Sequence, residues 1–212
     1  MTELRFTLLT DGPTDDALLP ALEWILERAG VARAIAPQWA DFGHLRRKPR
    51  GLEERILRAV ELYECDLLFV HRDAEAQDPE RRFEEIRRAV SSLPLETPPL
   101  IAVVPVRMTE AWLLFHETSI RKAVGNPNGS TPLQLPPLNK LDKLPDPKKD
   151  LHDALTEASG LTGRRRKGFD ARRAARRVAR LIGDFSPLRA LSAFTALEAE
   201  VARMVREQHW DG

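Results

Sequence analysis

Two apolar runs in this chain end in acid. Residues 4–16 (LRFTLLTDGPTDD) place Asp11, Asp15 and Asp16 just past a strand's length of apolar residues, and residues 67–75 (LLFVHRDAE) do the same with Asp73 and Glu75. If both runs are strands of one parallel sheet, the acids leave at its carboxyl edge, where such sheets bind ligands. Carboxylates that converge there suit a hard divalent cation, because Mg²⁺ takes one or two of them and fills its octahedron with water and substrate phosphate. Asp11, Asp73 and Glu75 are the residues expected to share such an ion, Mg²⁺ or Mn²⁺; the plain alternative is a solvated acidic rim.

Other side chains near these acids suit the same chemistry. His71 ends the second run beside Asp73 and is placed to act as a general base or as a structural hydrogen-bonding residue. Lys148 and Lys149 stand near a helix start, where the dipole gives a cation nothing, so neutralising a phosphate is one use for them and plain solvation another. His44, His116, His152 and His209 are scattered and form no metal-ligand spacing.

Alternating strand and helix patterns carry these residues. Residues 4–10 read as a strand and 14–29 as a helix, stopped at Gly30 and interrupted by Pro20 unless that proline lies in the first turn. A short strand over 31–36, a helix over 52–64 and a strand over 67–70 follow. Asp78-Pro79 opens a helix to about residue 90; residues 100–106 form a fourth apolar strand, and Thr109 caps a further helix. The order predicts an α/β fold, an open and mainly parallel sheet of about four strands with helices on both faces. The first domain is expected over residues 1–120. Beyond it, residues 121–212 hold a Pro-rich loop (125–147, six prolines) and helices over 147–159, 170–182 and 187–208, expected as an extension packed on that domain. The loop's leucines, Leu133, Leu135, Leu138, Leu141 and Leu144, exceed what a spacer needs, so the loop is expected to dock on a surface.

Charge is concentrated rather than spread. Residues 164–180 carry nine basic side chains against Asp170 alone, +8 locally within a chain of net charge +1. On a helix starting after Asp170, Arg172, Arg173, Arg176 and Arg177 share one side with Arg180, a run of like charges that calls for an anionic partner. The partner is the protein's own acidic remainder, an acidic protein or a phosphate backbone, with nucleic acid the leading expectation. The lone Cys65 forms no internal disulfide, which suits a reducing cytoplasm, and no apolar window is long enough to span a bilayer. A cytoplasmic protein without a membrane partner is expected.

In these motifs the chain resembles the TOPRIM domains of topoisomerases, primases and overcoming-lysogenization-defect nucleases. Asp11-Gly12-Pro13-Thr14-Asp15 is similar to their Glu-Gly-x-x-Asp signature, and Asp73-Ala74-Glu75 to their Asp-x-Asp. Residues 104–115 (VPVRMTEAWLLF), 147–151 (PKKDL) and 185–197 (FSPLRALSAFTAL) resemble a family of small bacterial TOPRIM-like proteins whose genes often lie beside ATPase genes. The resemblance implies magnesium held by Asp11, Asp15, Asp73, Glu75 and Glu110, with Asp11, Asp73 and Glu75 catalytic; His71, which the TOPRIM pattern does not require, and Lys148 join the expected catalytic set by their position. It implies a nuclease acting on DNA rather than RNA, with a partner ATPase and a role in phage defence. Asp11 stands where the family has glutamate and Glu75 where it has aspartate, so one reach shortens by a methylene and the other lengthens. The swaps either compensate or mark a non-catalytic TOPRIM-like module that binds or regulates an ATPase or nucleic acid.

Overall fold

A computed structural model describes residues 3–12, 15–74, 78–94 and 96–212, with residue 15 through its backbone alone. β1 (Leu4–Leu9), β2 (Ile35–Trp39), β3 (Leu67–His71) and β4 (Leu100–Val103) form one parallel sheet in the order β2-β1-β3-β4. β3 is buried at all five positions, as a strand covered on both faces must be. From β1 the chain steps outward to β2, crosses back over β1 to β3, and continues to β4. Winding therefore reverses between β1 and β3, which opens a crevice at their carboxyl ends. Asp11 follows β1 and Asp73 follows β3 at those ends.

The helices are α1 (Leu19–Arg28), α2 (Gly51–Leu62), α3 (Pro79–Ser91), α4 (Glu117–Ala123), α5 (Pro147–Ala158), α6 (Gly163–Lys167), α7 (Ala171–Leu181) and α8 (Ser192–Glu207). On one face of the sheet α2 and α3 pack over Leu9, Leu68 and Val70. The larger core lies on the other face, where Phe6, Phe69 and Val103 meet residues of α1, α4, α5, α7 and α8. Trp112 packs edge-on to Phe194 at 5.3 Å, so the segment after β4 and the last helix share one aromatic contact. No helix among the described residues is long and apolar enough to cross a membrane.

Local chemistry explains most boundaries. Asp78, Asp146 and Asp170 accept from the backbone N–H of Glu80 (3.0 Å), Lys149 (2.9 Å) and Arg173 (3.0 Å), capping α3, α5 and α7. The helix expected over 14–29 begins instead as a 3-10 turn, Asp15–Leu18, and α1 starts at Leu19. Pro20 thus falls in the first turn, where its missing N–H removes no helical bond. β2 lies later than the expected 31–36 and takes in Pro37, whose ring nitrogen faces away from β1 and so interrupts no ladder bond. Thr109–Leu113 is a 3-10 turn rather than the first turn of an α-helix. In the Pro-rich segment Leu141 is fully buried and Leu133, Leu135, Leu138 and Leu144 pack on the larger core, so this loop docks on the protein's own body.

Candidate functional site at the carboxyl edge of the sheet

The exit of β1 is pinned before it reaches Asp11. Trp39 Nε1 donates to the Thr10 hydroxyl (3.1 Å), which donates to the Gly12 carbonyl (2.8 Å). Asp11 Oδ1 then accepts from Arg72 Nη1 (3.0 Å), just beyond β3, and from Arg55 Nη1 (3.2 Å) on α2. Arg55 also donates to the Thr10 carbonyl. Arg72 Nη2 lies 3.1 Å from Glu85 Oε1, and the other Glu85 oxygen lies 3.0 Å from Arg82 Nη1. Arg82 Nε donates to the Asp73 carbonyl (3.1 Å). The guanidiniums of Arg55, Arg72 and Arg82 line this side of the crevice together with the carboxylates of Asp11 and Glu85, and guanidiniums are groups suited to a phosphate.

Asp73 is held differently. Its Oδ1 lies 3.1 Å from Nε2 of the buried His71, and the same nitrogen is 3.2 Å from the Thr109 hydroxyl. His71 Nε2 therefore sits between the Asp73 carboxylate and the Thr109 hydroxyl. Thr109 leads directly into a second group. Glu110 is 8% exposed, and its Oε1 lies 3.8 Å from Lys148 Nζ. Thr109, Glu110, Lys148, His152, Arg172 and Arg176 line a small cavity of about 10 Å³, room for one water. Asp16 Oδ1 faces Arg176 Nε at 3.2 Å, an ion pair off the hydrogen-bonding axis that ties α7 to the turn before α1.

Burial sets the titration of this second group. It lowers His152, with Lys148 and Arg172 adding to the effect, and lowers His116 elsewhere on the same side. Burial raises Asp16, opposed by Arg176 and Arg180. A histidine depressed in the fold leaves the unfolded chain holding more protons, so stability is present above the ordinary value of about 6.5 and declines as pH falls through it. Asp16 acts oppositely at lower pH, where the folded state takes the proton first. Thermal midpoints should therefore drop on acidification from about pH 7 to about pH 6, and His152→Gln should flatten that dependence. A midpoint that rises over this interval would contradict the assignment.

The structure brings Asp11 to Arg72 and Arg55, Asp73 to His71, and Glu110 to Lys148, all beyond the carboxyl ends of the strands. Glu75 and the side chain of Asp15 lie outside the described residues. Among the described residues no three His, Cys, Asp or Glu side chains come close enough together to hold a metal ion. Magnesium needs only one or two carboxylates, and Asp11 and Asp73 supply that number in oxygen-only form from adjacent strands. The donor type suits the ion, while Asp11 is turned to two arginines. Of the basic helix, Arg172, Arg173 and Arg177 are exposed while Arg176 faces Asp16. Arg55, Arg82, Glu85, Thr109 and His152 join the site without a sequence signal, since each reaches it from a different element. Compared with known proteins, the chain matches no family model, no curated protein and no solved structure.

Proposed function

We propose that this protein is a magnesium-dependent nuclease of TOPRIM-like type that acts on nucleic-acid phosphodiesters, DNA in preference to RNA. The observation that carries the reading is the exit of Asp11 and Asp73 from adjacent parallel strands at the reversal point of the sheet, among Arg55, Arg72 and Arg82. Asp73 would hold the ion, with Asp11 and Glu75 as its companions. Magnesium bound there would activate water and stabilise the leaving oxygen. His71 orients Asp73, while Arg55 and Arg72 exchange Asp11 for substrate phosphate. Partnership with an ATPase in phage defence rests on the family resemblance. The test is nicking of supercoiled plasmid with Mg²⁺ or Mn²⁺, comparing wild type with Asp73→Asn.

The basic face of α7 supplies a path for the backbone of the substrate. Arg172 and Arg176 line the cavity beside Glu110 and Lys148, and Arg173, Arg177 and Arg180 continue the exposed stripe. Arg172, Arg173 and Arg177 changed together to Gln should reduce the slope of log affinity against log salt by roughly 3 on duplex DNA. Arg176 is left in place because it faces Asp16. An unchanged slope would remove α7 from the binding surface.

A second reading has its own observation. Asp11 Oδ1 accepts from two guanidiniums, and no three metal-capable side chains cluster among the described residues. This arrangement favours a non-catalytic TOPRIM-like module that binds nucleic acid or regulates a partner ATPase. It predicts nucleic-acid binding without divalent-dependent cleavage.

A further inference from the structure

The two edges of the sheet are built differently. In β2, Leu4 N donates to the Ala34 carbonyl (2.8 Å) and Ala40 N to the Leu8 carbonyl (3.0 Å), so Ile35, Pro37 and Trp39 turn their backbone groups away from β1. Pro37 has no N–H to offer, which blunts that edge against pairing. β4 has no such guard. Leu68 N, Arg72 N and Ala74 N donate to the carbonyls of Pro99 (2.9 Å), Val103 (3.1 Å) and Pro105 (3.1 Å). Leu100, Ala102 and Val104 therefore point their N–H and C=O groups outward, with no charged side chain or proline among them.

This edge forms the floor of a trough of about 900 Å³. Phe83 and Val90 of α3 line one wall, and Ala193, Ala196 and Leu197 of α8 line the other. Glu80 and Arg87 stand on the α3 rim, their side chains 66% and 61% exposed, and pair with each other within the chain.

We propose that the trough is a twofold interface with a second copy of this chain, β4 lying antiparallel to β4 of the second copy. With Ala102 on the axis, Leu100 of each copy opposes Val104 of the other, and each opposed pair exchanges two backbone hydrogen bonds. The charges select a second copy over an unrelated strand. A twofold axis through the edge sets α3 beside α3 of the second copy in reversed direction, so Glu80 of each faces Arg87 of the other. A self-complementary rim of this kind matches itself and asks nothing of a foreign peptide. The small residues Ser192, Ala193 and Ala196 leave space for the two α8 helices to approach.

Sedimentation equilibrium of the full chain, from low to high micromolar, tests this independently of any activity. A monomer–dimer equilibrium is expected for the wild type. E80R and R87E each set like charges opposite one another and should weaken the dimer at least about tenfold, whereas E80R with R87E restores the match and the affinity. Ala102→Lys puts two cations at the axis and should also dissociate the dimer. Both rim residues are exposed on the single chain, so the far-ultraviolet dichroism of the folded rim variants should match the wild type. A wild type that stays monomeric overturns the proposal. So does a dimer indifferent to E80R and Ala102→Lys, or a double exchange that fails to restore association.

Discussion

Asp73→Asn is expected to lower divalent-dependent nicking by about a hundredfold or more, because a catalytic metal contributes several kcal/mol of charge stabilisation and each 1.36 kcal/mol is tenfold in rate. The substitution keeps the shape of the side chain and removes its charge. His71 Nε2, 3.1 Å from Asp73 Oδ1, still finds an amide there, and Arg82 contacts the backbone carbonyl rather than the carboxylate. Stability should therefore change by no more than about 1 kcal/mol, and the variant should melt with the wild type. Calorimetry with Mn²⁺ supplies the second arm: weak binding by the wild type, lost in the variant, supports Asp73 as the ion's ligand. Equal nicking by both proteins would trace the activity to another source. An absence of both nicking and Mn²⁺ binding in the wild type, with a partner ATPase present, would favour the non-catalytic module.

The sheet was legible because β3 and β4 are nearly continuous apolar runs and the helices carry their own caps, as Asp78-Pro79, Asp146-Pro147 and Asp170 do. Local signals fix such elements, and the parallel α/β architecture follows from their order. Where local signals compete with tertiary contacts, the reading of the sequence slipped. The strand expected over 31–36 stops short of Pro37, which lies within β2, where the edge position shown by the sheet order tolerates it. The acids after β1 and β3 were visible for the same reason as the strands. Their partners were not: Arg55 lies 44 residues from Asp11 and reaches it across α2, a pairing set by packing and not by spacing. Arg176 read as one of a stripe of cations calling for an anionic partner, the protein's own acids among the candidates, and the turn before α1 brings Asp16 against it. Charge pattern alone specifies a face of a helix, and the fold decides which members of that face are spent internally.

Phe194→Ala should produce the largest loss of stability. Phe194 is fully buried, packs edge-on to Trp112 at 5.3 Å, and lies 6.3 Å from the Trp24 ring. Truncating a buried phenylalanine costs about 3–5 kcal/mol, because the lost transfer energy is joined by a cavity that neighbouring rings do not fill. Native domains are stable by only about 5–15 kcal/mol, so this substitution removes a large share of the total. For a domain of this length each kcal/mol corresponds to roughly 2–4 °C in midpoint, which places the expected fall at about 6–20 °C. The form of the transition is as informative as its position. Trp24 belongs to α1, Trp112 to the turn after β4 and Phe194 to α8, so the contact ties the α/β part to the C-terminal helices. Tryptophan fluorescence and far-ultraviolet dichroism should therefore lose structure together in wild type and variant, in one cooperative step. If the variant melts in two steps, with the sheet surviving the loss of α8, residues 1–120 hold their fold without the extension. A wild-type-like midpoint would mean that Phe194 contributes little to the larger core despite its burial.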